Sequence, residues 1–289
     1  MAKAREIGRR MRSVESTRKI TRTMEMVATS KLRKAQQRVL KARPYADRLA
    51  TVVENLITPE LADLQPILRQ PERIRRAAVV LLTSNRGLCG AFNVNLIRKA
   101  RQLLDYLAAQ EVASELHVYG RKGIGYFRFR GVEMATARTD IGDDPTPEEA
   151  RDLIHPLADR FIRGELDAIY LVHAEYRSVM STPPTSRRLL PVSVPEERPA
   201  REPYYILDPS AEAILERILP LYLENVTFRA LVENAAAEQG ARRTAMKAAT
   251  DNADEFLTSL RRQFNRARQA EITSQIAEII GGAEALAGT

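Results

Sequence analysis

All fifteen prolines of this 289-residue chain lie between Pro44 and Pro220. Proline inside a helix removes a backbone donor and clashes with the preceding turn, at about 3 kcal/mol. The two proline-free ends, 1–43 and 221–289, therefore permit long helices. Periodicity agrees. Small or apolar residues recur at steps of three and four from Ile7, Met11, Val14, Thr17, Thr21, Met24, Ala28 and Leu32 through Val39, Ala46 and Val53 to Leu56, which is a heptad seam. Pro44 interrupts it and predicts a kink, with the helix spanning 1–58. At the other end, the pattern predicts a helix over 209–283. Asp208 serves as N-cap, Pro209 stands in the first turn, Pro220 kinks it, and Gly281 and Gly282 stop it. About 70 residues at 1.5 Å each reach on the order of 100 Å. Each helix has one apolar stripe, and antiparallel pairing with the other buries both. The seam is rich in Ala, Thr and Met, so the pair needs support from around it.

The middle, 75–205, alternates. "AAVVLLTS", "ELHVYG", "VEMATAR" and "LDAIYLVHAEY" read as strands; 92–109, 121–129 and 146–163 read as helices. That order predicts a Rossmann-like α/β domain with a mostly parallel sheet. "RRLLPVSV" reads as a further strand at an edge, given its prolines. The fold class is thus α/β with long helices, a terminal antiparallel coiled coil plus a central domain.

Charge is uneven. Residues 1–50 hold 15 Lys and Arg against 4 Asp and Glu, whereas the remainder holds 30 against 33. The basic end predicts an acidic partner: protein, nucleic acid or anionic lipid. No helix-turn-helix, zinc or RNA-binding pattern accompanies it. A basic coiled coil on nucleic acid stays open only as an alternative. No apolar run approaches the ~18 residues of a membrane span, and the charged N-terminus has no signal-peptide core.

One turn has the address of an active site. "SNRGLCGAFN", Ser84–Asn93, joins the first strand to a helix and holds Cys89, the only cysteine. It lacks the glycine spacing of a dinucleotide loop, and no phosphate-loop pattern occurs in the chain. "GLCGA" approaches a nucleophile elbow. A Cys–His hydrolase on Cys89 needs a histidine base, for which His173 is best placed; His117 and His155 are the others. The plainer reading is that Gly87 and Gly90 allow a tight turn and Cys89 packs as a small apolar residue. Three scattered histidines and one cysteine make no metal-ligand spacing.

Four segments carry a resemblance: "KITRTMEMVATSKLRKAQ" (19–36), "SNRGLCGAFN" (84–93), "AAEQGARRTAMKAATDNADE" (236–255) and "NRARQAEITSQIAEIIGGA" (265–283). In that order, from end to end, they resemble the gamma-subunit family of F-type ATP synthases. The resemblance implies a rotating central shaft inside a ring of alpha and beta subunits. The α/β domain joins the epsilon subunit and the membrane c ring. The chain implied is a non-catalytic subunit of an ion-translocating enzyme. It has no cofactor, no nucleic-acid partner and no second copy of itself, and meets the membrane only through the c ring. It lies on the cytoplasmic face of a bacterial plasma membrane. Contacts to the alpha/beta ring are implied for Arg18, Lys19, Arg22, Met24, Lys31, Arg33, Lys34 and Arg86, and near the C-terminus for Arg268, Gln269 and Thr273. "YYILDPS" resembles a foot segment, implying Tyr205 and Asp208 at the c ring or epsilon. Chloroplast relatives carry an insertion with a cysteine pair; "DIGDDPTPEEA" has neither, so thiol control of that kind is not expected.

Overall fold

The computed structural model describes residues 2–57, 61, 65–192 and 210–287. In chain order the elements are α1 (Ala2–Leu56), β1 (Arg76–Leu82), α2 (Phe92–Ala109), β2 (Ala113–Tyr119), α3 (Arg121–Phe129), β3 (Thr136–Arg138), α4 (Pro147–Ile162), β4 (Ala168–Ala174), β5 (Pro184–Leu190) and α5 (Ala211–Ala287). They fall into two compact units, Met1–Ala28 with Arg243–Thr289, and Thr29–Arg242.

In the first unit the two long helices pair antiparallel. Arg18 donates to Asp254 at 2.8 Å, and the Thr250 hydroxyl donates to that of Thr21 at 2.8 Å. A Cβ on Gly8 would stand 3.7 Å from Phe264. Ala4, Thr21 and Ala28 are buried, and Ile7, Met11, Val14 and Met24 half-buried, along the expected seam. Thr17 departs from it: it is exposed, its hydroxyl bonded back to the Ser13 carbonyl at 3.1 Å. A β-branched hydroxyl satisfies itself on its own helix, and the partner helix is reached instead by Arg18.

In the second unit the sheet order is β3-β2-β1-β4-β5. The first four strands are parallel, and β5 runs antiparallel to β4. Strand β1 is buried along six of its seven residues, the pattern of a central strand covered on both faces. On one face Leu153, Ile154 and Phe161 of α4 pack with Ile169, Leu171 and with Leu215, Leu219 and Leu223 of α5. On the other, Leu96, Ile97 and Phe127 pack with Val79, Leu81 and Val172, and with Leu32, Val39 and Ala236 of the long helices. The thin seam is thus held, from Leu32 on, by the core of the α/β domain. Helix α4 starts on a capping box, Thr146 with Glu149, and Pro147 follows the cap, which fixes its first turn.

Two helix boundaries differ from expectation. Helix α5 runs through Gly281 and Gly282 to Ala287. Each glycine costs about 1 kcal/mol against Ala, yet the following "AEALA" is strongly helix-forming and carries the helix on. At its start the expected cap, Asp208, lies outside the described residues, as does Pro209. Ser210 caps instead, its hydroxyl accepting the Ala213 amide at 3.2 Å. Pro44 and Pro220 both sit inside unbroken helices. Strand β3 is shorter than "VEMATAR": its three residues, Thr136–Arg138, pair with His117–Tyr119 of β2.

Candidate functional site

The turn after β1 is built around Ser84 and Asn93. The Ser84 amide donates to Asn93 Oδ1 at 3.0 Å, and Ser84 Oγ donates to the Arg86 carbonyl at 2.6 Å. Asn93 Nδ2 donates to Ser84 Oγ at 2.8 Å and to Cys89 Sγ at 3.2 Å. Leu88 and Gly90 take positive φ, 62° and 58°. Gly87, expected to supply that freedom, does not; its place is tight because Lys122 would lie 3.3 Å from an added Cβ.

This arrangement overturns the Cys–His hydrolase. Cys89 is 1% exposed, and burial pushes its thiol up, away from the thiolate a nucleophile requires. It belongs to the core face that contains Val79, Leu81 and Val172. Side chains alternate along a strand, so His173 shares the other face with Ile169 and Leu171. The sheet separates the two. His117 is bonded to Thr136 and Glu115, at 2.8 and 3.0 Å, and His155 sits 2.7 Å from Glu224.

In open α/β sheets ligands bind beyond the strand carboxyl ends, where the strand order reverses. Here that place lies between β1 and β4, and α5 fills it. Asn234 accepts the Ala174 amide at 3.0 Å. Leu231, Ala235 and Glu238 face Thr83, Asn85 and Gly120 across a cavity of about 30 Å³. That is room for a few waters at most. Burial pushes the Glu238 carboxyl up, opposed by Arg242 at 2.7 Å. Arg242 also reaches the Arg86 and Gly87 carbonyls, at 3.4 and 3.3 Å, tying the turn to α5. Among the described residues no three His, Cys, Asp or Glu side chains group so as to hold a metal ion.

The basic residues divide into two sorts. In the first unit Arg18 is committed to Asp254, and Lys19 stands 3.9 Å from Glu15. Arg22 is exposed with no ion pair among the described residues, and Met24 is half-buried in the seam. In the second unit Lys31 pairs with Asp143 at 2.5 Å, and Arg38 pairs with Asp144. Arg33, Lys34 and Arg86 are exposed with no ion pair among the described residues. Near the C-terminus Arg268, Gln269 and Thr273 are exposed, with the Thr273 hydroxyl donating to the Gln269 carbonyl at 3.0 Å. Tyr205 and Asp208 lie outside the described residues.

Sequence reasoning missed the apolar strip beside them: Ile272, Ile276, Ile279 and Ile280 are all exposed. Their one-face spacing was the available signal. The register that sets Gly8 against Phe264 carries Ile272 past the first described residue of α1, so these side chains have no α1 partner among the described residues. It also missed the polar cluster of Arg229, Glu233, Asp47 and Arg43. There Arg229 meets Asp47 at 2.8 Å and Glu233 at 3.0 Å, and Arg43 reaches the Tyr176 carbonyl at 2.6 Å.

Residues 3–286 match the family profile described as ATP synthase. The chain is 53% identical to the ATP synthase gamma chain of Gemmatimonas aurantiaca over 290 residues, the whole of both chains. It is 44% identical to that of Frankia casuarinae, across 98% of this chain and 97% of the other. Its fold is similar to a chain of the mitochondrial ATP synthase OSCP/F1/c-ring structure of Euglena gracilis. The TM-score is 0.66 and the identity 18%, covering 99% of this chain and 95% of the other. It is also similar to a chain in the Tetrahymena thermophila central stalk and c-ring structure, with TM-score 0.61 and 21% identity over 80% and 99%. The chain belongs to the ATP synthase gamma-chain family.

Proposed function

We propose that this chain is the central shaft of an F-type ATP synthase. It carries ion-driven rotation of a membrane c ring to the alpha/beta ring, and the reverse during ATP hydrolysis. It performs no bond chemistry itself. The observation that carries the reading is the end-to-end match with gamma chains, to which the paired long helices give a mechanical sense. A shaft under torque must not let its two helices slide. Cross-helix bonds of Arg18 with Asp254, Thr21 with Thr250, and Arg229 with Asp47 resist that.

Contacts with the surrounding ring must form and break on every turn. Exposed ion pairs are worth about 0–1 kcal/mol and suit this better than one deep buried pair. Arg22, Arg33, Lys34 and Arg86 are free to make them with an acidic loop of the beta subunits, and Lys19 is held only loosely. Arg18 and Lys31 already have partners within the chain, and we assign them to bracing. Arg268, Gln269 and Thr273, with the exposed isoleucines, are assigned to the upper part of the ring. Tyr205 and Asp208 remain assigned to the foot, against epsilon and the c ring. Attachment is assigned through the c ring, at the cytoplasmic face of a bacterial membrane, in keeping with the bacterial gamma chains that this chain resembles.

The test is to purify detergent-solubilised membranes by way of this chain. Alpha, beta, epsilon and c subunits are expected with it. Recovery of the chain without alpha, beta and c subunits would sink the proposal.

A further inference from the structure

One surface of the α/β domain is not used by the shaft. Over 121–130 the sequence is RKGIGYFRFR, four cations and no carboxylate. Ile124 and Phe127 turn inward to the core. Outward stand Arg121 and Lys122 in the first turn and, about two turns on, Arg128 and Arg130 flanking Phe129, which is 88% exposed. None of the four cations makes an ion pair among the described residues. Other arginines of the same domain do: Arg138 with Asp140, Arg151 with Glu224, Arg160 with Glu115, Arg163 with Glu165. Val132, also exposed, extends the apolar strip. Beside it a groove of about 700 Å³ opens between α2 and α3, lined by Arg101, Leu104, Tyr126 and Arg130, with Asp105 and Glu133 at its walls.

A bare phenylalanine ring flanked in sequence by two arginines without carboxylate partners leaves apolar area in water. It is the composition of a binding hot spot, an aromatic anchor with arginines about it. We propose that this face docks an acidic protein surface, whose carboxylates meet Arg121, Lys122, Arg128 and Arg130 and whose apolar socket takes Phe129. Charge complementarity selects acid. The bare Phe129 ring beside Arg128 and Arg130 selects a protein over a lipid or nucleic-acid phosphate layer, because an aromatic anchor needs an apolar socket to fill. A nine-residue helix with one anchoring ring also offers too little area to lie in a bilayer interface. The inference rests on the α/β domain's surface and not on the shaft reading.

The experiment places the photo-crosslinker p-benzoylphenylalanine at Phe129 of the full chain in cells. After irradiation the chain is recovered under denaturing conditions and its adducts are sequenced. One predominant protein adduct is expected, attached within a segment dense in Asp and Glu. Its yield should fall at least ten-fold with R128E and R130E together, and return when the partner's contacting carboxylates are changed to Lys. The same probe at Met180, 92% exposed and off the patch, should not give that adduct. Three results overturn the proposal. They are adducts with lipid or nucleic acid, scattered labelling equal to the Met180 control, and a yield indifferent to charge reversal. The α/β core residues stay untouched in every variant, so loss of fold does not explain a loss of adduct. Co-purification of alpha and beta subunits is scored separately, so failure here leaves the shaft reading to its own test.

Discussion

At the scale of single residues, the structure assigns ordinary packing roles to groups that look chemical in the sequence. His173 is buried, and burial, aided by Arg187, pushes its pKa down to about 4. An unfolded histidine titrates near 6.5. Between pH 6.5 and 4 the unfolded chain therefore binds a proton that the folded chain refuses. Stability contributed by neutral His173 is present above that window and lost as pH falls through it, on the order of 3 kcal/mol. Urea midpoints of the full chain should fall less steeply with acid in His173→Leu than in the parent; equal slopes would show that His173 does not titrate this way. Gly120 is a sharper case. Its φ is +106°, and a Cβ there would lie 2.1 Å from the Thr83 carbonyl oxygen, where β1 and the start of α3 meet. Gly120→Ala should cost on the order of 3 kcal/mol or more. A melting shift equivalent to under about 1 kcal/mol contradicts that account. In "YGRKGIGYF" Gly120 thus serves a close approach to the Thr83 backbone and Gly123 one to the Thr83 and Val118 side chains, whereas a Cβ on Gly125 would meet nothing within 4 Å.

At the scale of elements, most of the plan was legible. Proline placement and 3/4 spacing located α1 and α5, and strand–helix alternation located a parallel sheet with an antiparallel edge. What was hidden has a common cause: it depends on partners distant in sequence. Arg18 and Asp254 are 236 positions apart, so no local pattern separates Arg18, which is spent on its own chain, from Arg22, which is not. The side of the sheet that a buried group faces is equally silent until strands are in register, and that decided against Cys89 with His173. Glycine can mislead in both directions. Gly281 and Gly282 were read as a stop, yet the helix passes through them. Gly240 lies within α5, where a Cβ would meet Leu32 Cδ1 at 3.9 Å, ordinary contact. Gly240→Ala should accordingly stabilise the chain, by up to about 1 kcal/mol from helix propensity. A lower thermal midpoint would mean that the two helices approach more closely there than the contact indicates.

At the scale of the whole molecule, the division of labour follows from where charge and apolar surface are left over. In the α/β domain α5 packs over the carboxyl ends of the strands, with Asn234 bonded to the Ala174 amide. The long helices keep a thin seam, braced by hydrogen bonds and ion pairs, and leave Arg22, Arg33, Lys34 and a run of isoleucines outward. Those surfaces are suited to many weak contacts. Arg22, Arg33 and Lys34 changed together to Glu should slow coupled ATP synthesis while leaving the chain folded, since all three are exposed and have no ion pair among the described residues. Unchanged synthesis would remove these residues from the contact with the ring. The central claim is mechanical, and rotation is its direct readout. With the alpha/beta ring fixed to a surface, a gold bead is attached to Met180→Cys in a Cys89→Ala chain and watched during ATP hydrolysis. The account predicts one-way, stepped rotation of the bead at a rate set by ATP; a bead that stays still relative to the ring while ATP is being hydrolysed would contradict it.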